Sequence, residues 1–385
     1  MRLVQLGCGI TGLVCAELLE PNEQVDEIVL ADIDPDAAER MAKRVGSDKF
    51  SVQQVDARDK PVLRRLLRGN DLVVFALPGE LNVRVMESAV SLGLDYLDFS
   101  MSNESIRDFA KIHRMFKDAG LTAIHAMGCD SGISDIMAKH AIGKLDSATE
   151  AYIRDGEISK IDGRDFVITW SPLEMMEEVT TPAPIFRHGE FILLPPLHKR
   201  ELYNFPEPVG PLPVYNTNHE ETRLMPKFIK GLVKADFKIS VSDNLAAAAN
   251  MLRKLGMHSF DPVDVDGVSV RPIDVVTALI PRPVETIGKV KGYSCIVAEV
   301  IGKKDGKKMM LKEWIIMSHD RAYELCRSNA VGYLVGVGGA IGAELLIAGK
   351  VKRKGIVAPE HLPTDYVINR LPDFELPVHE EIVTL

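Results

Sequence analysis

The first residues that could do chemistry stand at the start of the chain. Gly7, Gly9 and Gly12 make the spacing G-x-G-x-x-G directly after the apolar run Met1–Leu6. An amphipathic stretch, Thr11–Leu19, follows, and a second apolar run, Glu27–Ala31, is closed by Asp32. Gly7 allows a tight turn, Gly9 lets the backbone approach a pyrophosphate, and Gly12 lets the helix pack close to its strand. The helix start offers N–H groups and a partial positive charge to phosphates. Asp32, at the strand tip, is placed to accept hydrogen bonds from an adenosine ribose. Strand, glycine turn, helix, strand and acid together imply a bound dinucleotide. Its first contacts are Gly7, Gly9, Ile10, Thr11, Gly12, Asp32 and Ile33.

Further contacts follow from where later strands end. Asp56 and Ala57 close the third apolar run, on the adenine side. Ala76-Leu77-Pro78-Gly79 follows the fourth, where small residues and a turn let backbone approach the middle of a dinucleotide. Ser100 follows the fifth. Ligands of open α/β sheets bind at this carboxyl edge. Asp32, Asp34 and Asp36 cluster where a 2′-phosphate would lie, and no Arg or Lys follows until Arg40. Like charge disfavours that phosphate, so the expected cofactor is NAD rather than NADP.

The elements that position these residues read as alternation. Apolar runs at Arg2–Leu6, Glu27–Ala31, Phe50–Val55, Leu72–Ala76, Tyr96–Phe99 and Leu121–Ala126 are separated by amphipathic segments. Such alternation means parallel strands joined by right-handed crossovers, a doubly wound Rossmann sheet. The sixth run leads into Gly128-Cys129-Asp130-Ser131-Gly132 and a helix from Ile133 to Leu145. Asp130 is expected near the nicotinamide end, although Asp is also a favoured helix cap.

After residue 146 the alternation stops. Val167–Pro172 reads as a strand ending at a helix start. Residues 181–215 read as irregular strand and loop, and Leu245–Leu255 as a helix. Val290–Ile301 and Lys308–Ser318 read as long strands joined through Asp305-Gly306, a hairpin signal. The fold class is therefore α/β, a Rossmann sheet plus a second α+β domain with a mainly antiparallel sheet. The expected boundaries are 1–130, 131–320 and 321–385, the last a helix and tail returning to the first domain.

Composition bounds the function. The chain has 385 residues, 46% hydrophobic and 26% charged, with a net charge of −9. Lys and Arg are spread out, which argues against nucleic acid as a partner. Val331–Ala348 contains Glu344 and five glycines and reads as a packed helix, not a membrane span. Met1 leads straight into the first strand, leaving no room for a signal peptide. Five scattered cysteines fit a reducing cytoplasm. Long apolar strands in the second domain need cover, so a homodimer is expected.

With these landmarks in order, the chain resembles the saccharopine dehydrogenase family in its wider sense. The marks are the opening GCGITG with Asp32, the Ala76–Gly79 turn, and Gly128-Cys129-Asp130-Ser131-Gly132. Thr169-Trp170-Ser171-Pro172 with Glu177-Glu178, the Leu252–Met257 segment and Gly355–Glu360 complete the set. Ser131 stands where many members have Pro. Lysine- and saccharopine-using members often carry an Arg and a Gly-His pair ahead of the helix at Leu252. Here that stretch is Phe237–Asn244, where Lys238 could supply the positive charge.

The resemblance implies hydride transfer between a nicotinamide and a carbon bonded to nitrogen. The reading most like it is an NAD-dependent lysine 6-dehydrogenase acting on an amino acid. The alternative is a saccharopine or carboxynorspermidine dehydrogenase, which joins or splits an amine and an aldehyde or keto acid. A third reading is an NAD-binding sensor without catalysis. An acid/base and a carboxylate-binding cation are needed. Asp130 and His219 are the acid/base candidates, with a solvated loop histidine the plainer reading of His219. Asp130, Trp170, Ser171, Arg223 and Lys238 are the substrate-side candidates. No His, Cys, Asp or Glu set has metal-ligand spacing, so no metal is expected.

Overall fold

The computed structural model describes residues 1–102 and 105–385. The chain forms two compact units. One holds Met1–Ile136 and Gly332–Glu375, the other Met137–Val331 and Leu376–Leu385.

The first unit is built on β1 (Arg2–Leu6), β2 (Glu27–Asp32), β3 (Phe50–Gln54), β4 (Leu72–Phe75), β5 (Asp95–Asp98) and β6 (Thr122–Ile124). Their order is 3-2-1-4-5-6, all parallel, and Gly355–Val357 adds a seventh strand beside β6. The central strands read as near-continuous apolar runs because helices cover both faces of the sheet. Val4, Leu6, Val29, Val73, Phe75 and Tyr96 are buried in one cluster. The order reverses between β1 and β4, and that reversal opens the crevice used by dinucleotides.

The helix Ala330–Ile347 has 18 residues and a mean hydropathy of 1.8, long and apolar enough to cross a membrane. In the fold it is 89% buried. Its glycines explain the close packing: a Cβ at Gly338 would lie 2.1 Å from Gly128 O, and one at Gly342 2.7 Å from Leu97. Glu344 is neutralised by a bidentate pair with Arg370, at 2.8 and 2.9 Å.

The second unit is a nine-stranded mixed sheet. Its strands are β7 (Ser147–Lys160), β8 (Ala183–Arg187), β9 (Glu190–Leu194), β10 (His198–Asn204), β11 (Pro211–Asn216), β12 (Lys234–Ser240), then β15 (Lys291–Lys304), β16 (Lys307–Ser318) and His379–Thr384. A separate small hairpin is made by β13 (Val263–Val265) and β14 (Val268–Val270). Among the pairings of the large sheet only β12 with β7 is parallel. Asp305 and Gly306 both have positive φ, at 51° and 75°, and turn β15 tightly into β16.

Three expectations are corrected here. Val167–Pro172 forms no strand, although the helix start expected at its end is present, with Ser171 capping the helix Pro172–Thr180 and its Oγ accepting from Glu174 N at 3.3 Å. Residues 181–215 are ordered as four strands, β8 to β11. The segment 321–385 does not return as a whole to the first unit. Its last residues pair antiparallel with β16 from Met309↔Thr384 to Trp314↔His379, which covers an edge of the second sheet.

Candidate active site

In the first unit the expected cofactor contacts converge on the carboxyl ends of β3, β2, β1, β4 and β5. The three glycines differ in what holds them. Gly7 has φ +91°, and a Cβ there would lie 2.2 Å from Ala76 O. At Gly12 it would lie 2.1 Å from Gly7 O. At Gly9 nothing lies within 4 Å. Gly7 and Gly12 are thus needed to close the fold, while Gly9 leaves an open cradle beside the backbone. The helix Ile10–Leu19 begins there with no side-chain cap. This is the arrangement a pyrophosphate fits.

Asp32 accepts from Cys8 N at 2.6 Å and from Asp34 N at 3.0 Å. One carboxylate therefore locks the glycine turn to the tip of β2. Ile33 beside it is 54% exposed and offers an apolar wall for a base. Asp56 is engaged by Arg58, with Nε at 2.9 Å and Nη2 at 2.9 Å, which lowers its pKa. An adenine-side contact by Asp56 therefore competes with that ion pair. Ala57 is buried, so only its backbone can serve. Ala76, Leu77 and Gly79 are half-buried, while Pro78 and Ser100 are exposed at the same edge.

Beneath this edge lies a polar knot that sequence reasoning did not assemble. Asp98, at the end of β5, accepts from Asn82 Nδ2 at 2.8 Å, Ala126 N at 2.7 Å and His125 Nδ1 at 2.5 Å. His125 Nε2 is 3.0 Å from Ser105 Oγ. All four side chains are buried. The Ser–His–Asp order resembles a hydrolytic triad, but sealed from solvent it serves to tie the ends of β4, β5 and β6 together. His125 is structural, as its place on the last strand suggests.

Asp130 is half-buried. The helix beyond it begins at Ile133, and Asp135 in its first turn accepts from Gly132 N at 3.0 Å. Cys129 is buried, as are the other four cysteines, none in a disulfide.

The second unit holds the more unusual chemistry. Side chains alternate along a strand, so Ile153, Asp155 and Glu157 of β7 share one face and Arg154 points to the other. Phe237 lies opposite Ile153, and His219 stacks on Phe237 with ring centroids 4.1 Å apart. His219 Nδ1 is also held by Glu221, with Glu220 at 3.2 Å. Burial alone would push its pKa down. Glu221 and Glu220 outweigh that and hold it well above the ordinary value, so His219 is an imidazolium. It is no solvated loop residue.

Around it stand more acids. Glu174 and Glu178, one turn apart on the helix Pro172–Thr180, have pKa values pushed up to about 7 and about 8. Desolvation is the main cause. Neighbouring carboxylates add to it, and His219 opposes it. Glu178 keeps some exposed surface, yet its Oε2 is sealed off without a hydrogen-bond partner. Glu157, hydrogen-bonded by Ser159 and Thr169, each at 2.5 Å, is raised by burial to about 7. Nearby His319 is pushed down to about 4 by burial, its Nδ1 accepting from Ala330 N at 3.1 Å.

The expected cations fare differently. Lys238 pairs in register with Arg154, so it occupies the sheet face opposite to His219. There it is ion-paired with Glu201. Lys238 is thus corrected from substrate cation to structural partner. Arg223 is half-buried rather than a surface charge, and burial lowers its pKa against the pull of Glu220. Trp170 is half-buried, not a core residue. Ser171 is spent as a helix cap. His219, Glu220 and Glu221 place one ligand atom each within 4.8 Å of one another, a grouping the sequence spacing did not suggest. No cysteine or second histidine joins it among the described residues.

Residues 3–124 match the saccharopine dehydrogenase NADP binding domain, and residues 128–373 match the saccharopine dehydrogenase C-terminal domain. The chain belongs to the saccharopine dehydrogenase family. It is an NAD(P)-dependent dehydrogenase acting on amine or CH–NH groups. Carboxynorspermidine synthase of Vibrio alginolyticus is 27% identical over 406 residues, spanning 98% of this chain and 96% of that protein. Carboxyaminopropylagmatine dehydrogenase of Synechocystis is 26% identical, spanning 99% and 98%. Two solved structures share the fold. Saccharopine dehydrogenase (L-Glu forming) of Saccharomyces cerevisiae has a TM-score of 0.74 at 16% identity, covering 99% of each chain. Homospermidine synthase of Legionella pneumophila, solved with NAD, has a TM-score of 0.71 at 15% identity, covering 99% of this chain and 91% of that one.

Proposed function

We propose that this dehydrogenase joins a primary amine to a carboxylated aldehyde through an imine, then reduces the imine to a secondary amine, or runs the same steps backwards. This is the runner-up of the sequence reading and displaces lysine 6-dehydrogenase. The observation that carries it is the end-to-end likeness to two enzymes whose names both denote a carboxylated polyamine-like product. The character of the second unit agrees. Its buried groups are mostly acids, suited to amines, and Lys238 is already committed to Glu201.

The balance is simple. Amine and aldehyde lose water to form the imine. A hydride then adds to carbon and a proton to nitrogen. Bound at the Gly9 cradle, the nicotinamide cofactor supplies the hydride. This chain's residues do the rest. Gly9 and the open helix start behind it would hold the pyrophosphate, with Gly7 and Gly12 keeping the turn closed, and Asp32 would accept from the ribose. We assign NAD as the preferred cofactor, because Asp32, Asp34 and Asp36 repel a 2′-phosphate and Arg58 is held by Asp56. Glu174 and Glu178, titrating near neutrality, suit the proton transfer. Arg223 is the candidate for the carboxylate.

The test mixes NADH or NADPH with a diamine and a carboxylated aldehyde and follows cofactor absorbance. Consumption that needs both carbon substrates supports the reading. NADH formation from lysine and NAD alone, with ammonia release, restores the lysine 6-dehydrogenase reading.

A further inference from the structure

In the first unit the middle of the carboxyl edge is made by three loops. They follow β4, β5 and β6 at residues 76–82, 99–102 and 125–130. Ser100, an expected cofactor contact, and Asp130, expected at the nicotinamide end, stand on two of them. The loops press on one another. A Cβ at Gly79 would lie 3.2 Å from Ser102 Cβ, and one at Gly128 2.8 Å from Phe99 O. At such spacing a shift of one loop displaces the next.

Asp98 holds all three. Its Oδ2 accepts from Asn82 Nδ2 at 2.8 Å and pairs with His125 Nδ1 at 2.5 Å. Its Oδ1 accepts from Ala126 N at 2.7 Å, and its backbone carbonyl accepts from Met127 N at 2.9 Å. Ala126 has φ +65°, in the left-handed region that residues with a Cβ seldom enter. Side chain and backbone of Asp98 thus pin the strained residue at which the chain leaves β6 for Asp130. His125 carries the tie onward. Its Nε2 lies 3.0 Å from Ser105 Oγ. Ser105 N donates to Ser102 Oγ at 3.0 Å, and Ser105 Oγ donates to Ser102 O at 2.9 Å. The strand neighbours Leu97 and Ile124 are buried and apolar. A tie needed for stability alone could be apolar too, since well-packed hydrophobic groups often do as well as a buried ion pair. Hydrogen bonds add a fixed direction, which apolar contacts do not.

We propose that Asp98 and His125 are positioning residues for the nicotinamide half of the cofactor. Acting through Ala126 and Ser105, they set where Asp130 and Ser100 stand when hydride is transferred. Both side chains are sealed from solvent, Asp98 at 0% and His125 at 1% exposure, so they act through these neighbours and not by contact. The adenosine half is held elsewhere. Gly9 and Asp32 lie at β1 and β2, and none of the hydrogen bonds above reaches them. The inference rests on the dehydrogenase class alone and holds for either choice of carbon substrate.

The experiment measures binding, not turnover. Titration calorimetry compares NADH with ADP-ribose, which keeps the adenosine and pyrophosphate and lacks the nicotinamide. The proteins are wild type, Ser105→Ala, His125→Asn and His125→Ala. Wild type should bind NADH more tightly than ADP-ribose. In Ser105→Ala and His125→Ala that advantage should shrink about tenfold, the scale of one hydrogen bond, while ADP-ribose affinity stays within about twofold. The Asn amide can still donate to Asp98, so His125→Asn should retain more of the advantage than His125→Ala. Ser105→Ala leaves the buried Asp98–His125 pair in place and decides the matter if the His125 variants do not fold. Equal affinity of wild type for both ligands, equal losses of both in the variants, or an unchanged advantage in Ser105→Ala would overturn the inference. No amine or aldehyde enters these measurements, so their outcome stands apart from that of the proposed reaction.

Discussion

Glu178 can be tested without any substrate, because its buried carboxyl links stability to pH. Burial pushes its pKa up to about 8 in the fold, from the ordinary glutamate value of 4.5. Between those values the folded chain binds a proton that the unfolded chain has released. Stability from this group is therefore lost as pH rises. Integrating a folded pKa of about 8 from pH 6.5 to 8 gives a loss of about 1.5 kcal/mol. In a domain of this size that is a fall in Tm of roughly 3–6 °C. Glu174 and Glu157, both about 7, act in the same direction. So does His219, whose raised pKa gives stability that is present at low pH and lost as pH climbs through it. His319, lowered to about 4, acts in the opposite sense up to about pH 7.5, and from pH 6.5 to 8 it offsets only about 0.4 kcal/mol. From pH 6.5 to 8 the net sign is therefore that of the carboxyls. Differential scanning calorimetry should show Tm falling from pH 6.5 to 8 in wild type and falling less in Glu178→Gln, by roughly the 3–6 °C assigned to this carboxyl. Parallel pH profiles in the two proteins would refute the claim that the Glu178 carboxyl is sealed from solvent and charged with difficulty.

Three other outcomes follow from the first unit. Gly9→Val should keep the wild-type melting temperature but lose dinucleotide binding in titration calorimetry, whereas Gly12→Val should fail to fold stably. A destabilised Gly9→Val would mean the cradle is not open. Asp32→Ala should weaken NADH more than NADPH, with a tenfold or larger loss for NADH, on the order of one charge-assisted hydrogen bond. Equal losses would remove Asp32 from the ribose. Asp98→Ala strands Asn82, His125 and the Ala126 N–H in the interior and should cost roughly 3–5 kcal/mol in chemical denaturation. A cost below about 1 kcal/mol would show the knot to be dispensable.

How much was legible depended on whether the signal was local. The glycine turn, Asp32 and the alternating strands are short-range patterns, each carrying its own physical reason. Gly7 needs positive φ, and Gly12 needs the space a Cβ would fill. Those reasons belong to the residues themselves, and the dinucleotide half of the fold could be read without coordinates. The Asp-Gly turn between the long strands was legible for the same cause. The irregular reading of residues 181–215 failed because prolines there weaken the strand pattern, while the sheet supplies the pairing that makes four strands.

The chemistry of the second unit was decided by tertiary structure. Lys238 and His219 looked alike as loose charges in sequence. Only strand register put Lys238 on one sheet face with Glu201 and His219 on the other against Phe237. Likewise Glu174 and Glu178 are ordinary helix acids until burial, with neighbouring carboxylates adding to it, raises their pKa values. Asp98 and His125 meet across strands separated by 27 residues. Burial, register and the field of distant charges are sums over the whole fold, so no stretch of sequence contains them. The family and its cofactor cradle were determined by local residue types and spacing, and the raised pKa values of Glu174 and Glu178 by how the folded chain buries its acids together.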